Sequence, residues 1–402
     1  MAKVAIMGYG TVGSGVYDII KTNSARLAKS ADEELGIKYI LDIRDFPDHP
    51  EKHLFTKNVD DIINDNEISV VAEVMGGLHP AYEFTKQLLK SGKSVVTSNK
   101  ELVATYGSEL LAIAKEKKVN YMFEASVGGG IPVIRPLSRC LGANNIVRIA
   151  GILNGTTNYI LYQMITNSKS FDTALKDAQA NGYAERNPAA DIEGHDACRK
   201  IAILASLASG TEVDYSKIST EGITSITLDD VKCAGAAGYV IKLIGYAGFL
   251  ENGKIYAHVA PMLIDKKNML SGIDDVMNGV LVTGDAVGEV MFYGAGAGKL
   301  PTASAVVADI VDSVIHKTPR KGMAWVKADE DNIVSADEMK FRYFIRADKS
   351  IDDVKTVFGS VAEFNGVNKE ETAFITAPLT YAEAESKNTQ LGGVKTAIRV
   401  LD

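Results

Sequence analysis

The sequence predicts an α/β protein in three parts: a doubly wound parallel sheet, an α+β domain, and a small ferredoxin-like module. Three observations carry this. Over the first hundred residues, strand-length apolar runs alternate with stretches of helical spacing, which implies right-handed βαβ units. After Pro136, long helical stretches mix with separate strand-like ones, as in α+β folds. From Phe341 to Val400 the order reads β-α-β-β-α-β, the ferredoxin-like order.

Taken in order, Lys3–Met7 is a short apolar run and reads as the first strand, with a helix over Val12–Lys29. Ile37–Ile43 and Ile68–Val74 are further strands, rich in β-branched residues and, in the second, apolar on both faces. Tyr82–Lys90 is helical, Ser94–Ser98 strand, Ser108–Lys117 helix and Asn120–Glu124 strand again. Beyond it, helices are expected at Ile160–Asn167, Phe171–Ala180, Asp196–Ser209 and Ala237–Ala247, and strands at Val147–Leu153 and Lys254–Leu263. Ala303–His316 is one apolar helix after a Gly-rich turn. The last stretch supplies Phe341–Arg346, Ile351–Phe358, Val361–Asn365, Thr372–Ala377, Ala382–Leu391 and Ala397–Val400. The expected domains are 1–131, 132–301 and 325–402, with the helix at 302–318 packing back on the first.

The 402 residues allow each domain a sizeable core. Hydrophobic residues at 46% and charged ones at 23% suit a globular chain and exclude disorder as the main state. Against 43 Lys and Arg stand 51 Asp and Glu, a net charge of −8, which argues against a broad nucleic-acid or anionic-membrane surface. Cys140, Cys198 and Cys233 form no CxxC pair. They suit a reducing compartment rather than a disulfide framework or a thiolate zinc site. No apolar run reaches the length of a membrane span, and no leader precedes Val4-Ala5-Ile6-Met7. The expectation is a cytoplasmic protein with no nucleic-acid or membrane partner.

Gly8-Tyr9-Gly10-Thr11-Val12-Gly13 is GxGxxG between a strand and an amphipathic helix. In that context it marks a Rossmann-type dinucleotide site. The first Gly (Gly8) makes the turn, the second (Gly10) admits a pyrophosphate, and the third (Gly13) lets helix and strand approach. At the end of the second strand, an acid suits a ribose 2′-hydroxyl and an Arg suits a 2′-phosphate. Asp42-Ile43-Arg44 offers both. Arg44 lies nearer the strand's end, which favours NADP and leaves NAD open.

Three polar segments stand where a core does not need them. Thr97-Ser98-Asn99-Lys100 closes a parallel strand at the carboxyl edge, where open α/β sheets bind ligands; by spacing alone Lys100 is equally a solvated lysine. The loop 181–194 opens a helix with the apolar stripe Ala197, Ile201, Leu204, Ala205 and Ala208. On it Asp196 and Lys200 share a face at i, i+4. Beside the stripe, Lys200 is expected to be desolvated into a useful acid, though such a pair taken alone is more commonly a surface salt bridge. Glu124-Ala125-Ser126-Val127-Gly128-Gly129-Gly130-Ile131-Pro132 joins a carboxylate to a Gly-rich turn. It can present carbonyl oxygens to a hard cation or serve as an interdomain hinge.

Other signals fail. In Gly294–Pro301, Tyr293 stands where a P-loop needs its first Gly and Leu300 where it needs Ser or Thr. The six histidines, His195 among them, have no ligand spacing, and no GxSxG or catalytic-cysteine signature occurs.

GYGTVG, TSNKELVA, EASVGGGIPVI, GILNGTTNYIL, GYAERNPAADIEGHDACRK and GAGAGKLPTASAVVADI follow one another over roughly 1–320. In this order they resemble homoserine dehydrogenase. The resemblance implies interconversion of L-homoserine and L-aspartate 4-semialdehyde with NAD(P), on the route to threonine, methionine and isoleucine. It makes Lys200 the proton donor and Lys100 a second essential lysine. Glu185 and Asp191 or Asp196 would hold the substrate's ammonium and hydroxyl. Thr11, Val12, Gly76, Ser98, Lys100, Gly182, Glu185 and Gly298 would contact the cofactor, and Glu124, Val127, Gly129 and Ile131 a monovalent cation such as sodium. The 325–402 module resembles an ACT domain, and so implies either an amino-acid effector such as threonine or an assembly role. The family's usual Asp-x-Pro-Gly is here Asp348-Lys349-Ser350-Ile351. A homodimer or homotetramer is expected.

Two competitors remain in view. A phosphorylating semialdehyde dehydrogenase needs a nucleophilic cysteine in a motif that none of the three occupies. A non-catalytic NADPH sensor leaves the Glu185–Lys200 loop without a purpose.

Overall fold

The computed structural model describes residues 1–318, 323–328, 332–335, 338–365 and 371–402. The N-terminal sheet is built from β1 (Ala2–Met7), β2 (Leu35–Leu41), β3 (Phe55–Thr56), β4 (Ile68–Glu73), β5 (Ser94–Thr97) and β6 (Tyr121–Met122). Its order is β3-β2-β1-β4-β5-β6, every pairing parallel. The order reverses between β1 and β4, and the crevice at their carboxyl ends is where such sheets take a dinucleotide. Helices on both faces explain why these strands read as unbroken apolar runs.

Several boundaries in this half differ from expectation: the helix expected from Ser108 begins at Lys100, and the strand expected over Ile37–Ile43 is Leu35–Leu41. The helix after the fingerprint stops at Thr22 and a second runs Ser24–Ala31, broken at Asn23. The strand expected over Asn120–Glu124 is only Tyr121–Met122, because Glu124–Ser126 turns into a 3₁₀ helix as the chain leaves the sheet.

A second sheet has ten strands among the described residues: β7 (Ile146–Ile152), β8 (Ser219–Thr220), β9 (Tyr239–Phe249), β10 (Ile255–Asp265), β11 (Met277–Gly284), β12 (Gly288–Ala295), β13 (Tyr343–Ala347), β14 (Ala362–Asn365), β15 (Thr372–Ile375) and β16 (Val394–Leu401). The order is β12-β11-β7-β9-β10-β16-β13-β15-β14, with β8 beside β10. Its last four strands show the ferredoxin-like arrangement, the module's first strand lying between its fourth and third. This module is not a separate sheet. β16 runs parallel to β10, with Met262 opposite Arg399 and Ile264 opposite Leu401, so its hydrogen bonding continues the central sheet.

The helix expected over Ala237–Ala247 is instead strand β9, preceded by the unexpected helix Leu228–Ala236. Both faces of β9 are covered. Ile241, Leu243 and Ala247 join the main core, and Ile244 joins a second cluster with Ala150, Ile152 and Met262. A strand buried on both faces loses its alternation and cannot be told from a helix by period. Strands β11 and β12, missed in the sequence, carry interrupting glycines at 279, 284, 288 and 294.

The helix Lys299–Ile315 returns to the first sheet and lies against Thr11–Thr22, where a Cβ on Gly15 would meet Ala303 at 2.9 Å. Between the central helix Leu228–Ala236 and the C-terminal module, Arg346 is 3% exposed and bonds Asp230 at 2.6 Å and Glu371 at 2.5 Å. Buried and satisfied by two carboxylates, it ties the module down.

Candidate active site

At the fingerprint, a Cβ on Gly13 would fall 1.8 Å from the Gly8 carbonyl oxygen, so only glycine lets the helix start this close to the turn. Gly10 faces open space, with nothing within 4 Å of where its Cβ would stand. Gly10 is also the N-cap, and no side chain caps this end. The amides of the first turn therefore remain for an anion. These features fit a pyrophosphate.

Asp42 does not offer a bare carboxylate to a ribose. Its Oδ2 accepts the Tyr9 amide at 2.7 Å, while the Arg44 backbone and guanidinium bond both oxygens at 2.9–3.0 Å. The Arg44 guanidinium, aided by the Arg44 and Tyr9 amides, holds the Asp42 carboxyl down at about 2 against burial. Around them lies a cavity of about 410 Å³, with Arg44, Lys52 and Lys57 for charge and Phe46 and Phe55 for a flat apolar wall.

At the carboxyl edge, Glu73 is fully buried at the end of β4. One oxygen accepts the Met75 amide at 2.9 Å and the other the Thr97 hydroxyl at 2.6 Å, locking β4 to β5. Asn99 caps the helix Lys100–Lys117 through the Leu102 amide and donates to the Gly77 carbonyl at 2.6 Å. Lys100 thus begins its helix on a fixed frame, two residues after Ser98.

The helix His195–Ser209 carries Asp196 and Lys200 inward because it is buried nearly all round, Ala202 and Ile203 included, and not only along the expected stripe. Asp196 is the hub. Its Oδ1 lies 2.6 Å from Lys100 Nζ; its Oδ2 lies 2.8 Å from Lys200 Nζ and 2.8 Å from Asn154 Nδ2. Lys200 also donates to the Leu153 carbonyl at 2.7 Å, and Asn154 also donates to Asp191 Oδ1 at 2.7 Å. Two ammonium groups thus face two carboxylates, a set that is neutral overall and so tolerable in the interior.

The environments separate the two lysines. Burial lowers the Lys200 pKa, reinforced by Lys100, and the Asp196 charge only partly opposes it. Packing around Lys100 also disfavours its charge, but the Asp196 carboxylate outweighs that and raises it. Asp196 itself, though buried, is held well below the usual range by Lys200 and Lys100. Burial raises Asp191, against the Asn154 hydrogen bond.

The structure therefore brings together Lys100, Asp191, Asp196 and Lys200. Glu185 joins none of these contacts: it stands exposed on the loop after Gly182, and its carbonyl accepts from Gln179. Gly298 caps the helix Lys299–Ile315 with φ +128°. Sequence reasoning missed Asn154, Glu73 and the Leu153 carbonyl. A carboxylate inside the apolar run Ile68–Val74 was the available signal for Glu73.

The Glu124 segment is organised differently from a carboxylate site. Both carboxylate oxygens are taken, one by the Val133 and Ile134 amides at 2.7 and 2.8 Å, the other by the Arg135 amide at 2.9 Å and its guanidinium. Only the Glu124 carbonyl is left for a cation, together with those of Val127, Gly129 and Ile131. The turn has positive φ at Gly128 and Gly129. Among the described residues no three His, Cys, Asp or Glu side chains gather as a metal site.

Residues 132–311 match the family described as homoserine dehydrogenase, and 8–124 match its NAD binding domain. The chain is 40% identical to homoserine dehydrogenase of Bacillus subtilis over 376 residues, covering 92% of this chain and 85% of that one. It is 44% identical to the Synechocystis homoserine dehydrogenase over 319 residues, 78% of this chain and 73% of that one. A crystal structure of the Thiobacillus denitrificans homoserine dehydrogenase superposes with TM-score 0.90 at 37% identity, covering 100% of this chain and 98% of that one. A hyperthermophilic archaeal homoserine dehydrogenase mutant in complex with NADPH superposes with TM-score 0.66 at 28% identity, covering 78% of this chain and 98% of that one.

Proposed function

The chain belongs to the homoserine dehydrogenase family, and from that premise we propose that Lys200 is the proton donor, Lys100 its electrostatic partner and Asp191 the substrate's ammonium ligand. The protein is an NAD(P)-dependent oxidoreductase of amino-acid biosynthesis that interconverts L-homoserine and L-aspartate 4-semialdehyde. The observation that carries the residue roles is the divergence of the two lysines on one carboxylate. Titratable pairs whose environments push them apart divide acid from electrostatic work.

The nicotinamide cofactor supplies or takes the hydride when bound. Carbonyl reduction builds negative charge on oxygen, so a positioned cation that also releases a proton meets the need. Two of the three Lys200 donors are used by the Leu153 carbonyl and Asp196. The third remains for the substrate oxygen. Asp196 accepts from Lys100, Lys200 and Asn154 and is consumed by them. Among the described residues no hydrogen bond reaches Asp191 Oδ2, so Asp191, with Glu185 from the exposed loop, takes the substrate's ammonium. Thr11, Val12, Gly76, Ser98, Gly182 and Gly298 line the nicotinamide path.

NADP is the preferred cofactor. Asp42 is occupied by Tyr9 and Arg44, while Arg44, Lys52 and Lys57 supply the positive charge that a 2′-phosphate needs. Reduced-nicotinamide absorbance with L-homoserine at alkaline pH, run separately with NADP and NAD, tests this. A higher kcat/KM with NADP is expected, and a higher value with NAD refutes it. A monovalent cation such as sodium is held by the carbonyls of Glu124, Val127, Gly129 and Ile131; a neutral donor set suits a single charge better than a double one.

The functional division is 1–131, 132–301 and 325–402. The protein acts as a homodimer or homotetramer in the cytoplasm, whose reducing medium suits three separate thiols. Among the described residues no helix is long and apolar enough to cross a membrane. The ACT-like module serves assembly, since Asp348-Lys349-Ser350-Ile351 lacks the Pro and Gly that shape an effector loop. Isothermal titration with threonine checks it, and binding together with inhibition overturns the assembly-only role.

A further inference from the structure

Asn154 lies between strand β7 and the helix Gly155–Asn167, and its side chain is buried. Its Oδ1 accepts the Thr157 amide at 2.8 Å and the Thr157 hydroxyl at 3.0 Å, which caps the helix. That leaves one orientation for the amide. Turned over, it would set an N–H against the Thr157 N–H and a carbonyl oxygen against two carboxylates. As it stands, the single Nδ2 gives one hydrogen to Asp191 Oδ1 and the other to Asp196 Oδ2.

We propose that Asn154 is a positioning residue for the reaction, a neutral two-donor wedge that keeps Asp191 and Asp196 ionised side by side and turns the second oxygen of Asp191 toward the substrate. This rests on the reading of Lys200 as the proton donor and Asp191 as the ammonium ligand. Two carboxylates close enough to share one nitrogen ordinarily retain a proton between them. Here the cations facing the pair are Lys200 from the helix His195–Ser209 and Lys100 from Lys100–Lys117, with Arg199 acting on Lys100. Lys100 and Lys200 contact Asp196 directly, and Arg199 is engaged with Glu101. No cation contacts Asp191 directly among the described residues, so its ionisation leans on Asn154. The preceding peptide supplies the complementary part, because the Leu153 carbonyl fixes Lys200. Adjacent residues thus place the proton donor and separate the acids.

The wedge and the helix cap predict opposite orders for simple variants. Asp and Ser cap a helix nearly as well as Asn, and Ala does not. A cap-only role therefore makes Asn154→Asp and Asn154→Ser close to parent and Asn154→Ala the poorest. The wedge makes Asn154→Asp the poorest near neutral pH, because a third carboxylate then faces the other two.

The experiment measures kcat/KM for reduction of L-aspartate 4-semialdehyde from pH 6 to 10, where Lys200 sets the alkaline limb and the acid limb is left to the carboxylates, with cofactor affinity by fluorescence titration and Tm for each variant. Expected for Asn154→Ala is a loss on the order of 10²-fold in kcat/KM, as for a misplaced reacting group, with KM for the semialdehyde raised, cofactor affinity unchanged and the acid limb moved up in pH. Asn154→Asp is expected to lose more and to recover part of its activity as the pH falls. Asn154→Ser stands in if the Asp variant does not fold, and is expected to track Ala rather than parent. Parent-like kcat/KM in Asn154→Asp or Asn154→Ser, or an unmoved acid limb in Asn154→Ala, overturns the wedge. Lys200→Ala, run alongside, separates the failures: if it retains turnover the underlying reading falls, and if it is inactive while Asn154→Asp is parent-like, only the wedge falls.

Discussion

Replacing Lys200 by Ala separates the chemical step from folding and cofactor binding. The ammonium donates to the Leu153 carbonyl at 2.7 Å and to Asp196 Oδ2 at 2.8 Å, leaving one donor for the substrate oxygen. A positioned proton donor contributes roughly 10² to 10⁴ in rate, or about 2.7–5.5 kcal/mol of barrier. The cost to folding is smaller. Asp196 keeps Lys100 and Asn154, so the one group left bare is the Leu153 carbonyl, at about 1–3 kcal/mol. Relief from burying an ammonium offsets part of it. Lys200 lies on the helix His195–Ser209, away from the Gly8–Gly13 turn, so the variant should fold and bind NADPH as the parent does. The assay is turnover in both directions at 340 nm beside a fluorescence titration of NADPH. Lys200→Arg keeps the charge but cannot release a proton at working pH, and it should be nearly as slow. Turnover by Lys200→Ala within about tenfold of parent, against the loss expected for a proton donor, refutes the role. A fully active Lys200→Arg leaves Lys200 a charge and not an acid.

The depressed Lys200 pKa sets a sign for the pH dependence: semialdehyde reduction needs the protonated amine and homoserine oxidation the neutral one. Reduction should fall and oxidation rise with pH through an inflection below the ordinary lysine value, and Asp196→Asn should move that inflection lower still; an unmoved inflection counts against Lys200. Arg44→Ala should raise KM for NADP about 10- to 100-fold, as for losing a charged hydrogen bond, and leave NAD nearly unchanged; equal effects on both cofactors contradict the 2′-phosphate reading. Arg346→Ala leaves Asp230 buried without its cation and Glu371 with Lys395 alone, and should cost about 3–5 kcal/mol by denaturant titration. Arg346 and Lys395 hold the Glu371 carboxyl below its usual value, so the parent's share of this stability is present above the unfolded carboxylate range and fades on acidification, and a variant with parental stability refutes the tie.

Much of this chain is legible without coordinates because its signals are local. The fingerprint can be read since each glycine answers a steric demand made within a few residues, as Gly13 does against Gly8. The ferredoxin-like order of the last module survives in short amphipathic elements with their own caps, Ser350 and Thr380 among them. Strand β9 was misread for a physical reason: neighbours on both faces erased the alternation that distinguishes strand from helix. The glycines that interrupt β11 and β12 hid a local hairpin, Gly284 opposite Gly288, while the other neighbour of β11, strand β7, lies far off in sequence.

By itself the sequence determined the fold class, the dinucleotide turn, the two lysines and the family resemblance, because each rests on spacing within one element or on motifs in a fixed order. Only the tertiary structure decided which acid serves which base. Asp196 lies four residues from Lys200, yet it is Lys100, from another helix, that takes its second oxygen, and Asn154, from the end of a third element, that holds Asp191 beside it. The same holds for Glu124, whose carboxylate accepts from amides nine to eleven residues onward. Hydrogen bonds and pKa shifts depend on distance and burial in space, and the packing of a buried helix between the second sheet and the helix Lys100–Lys117 supplies both.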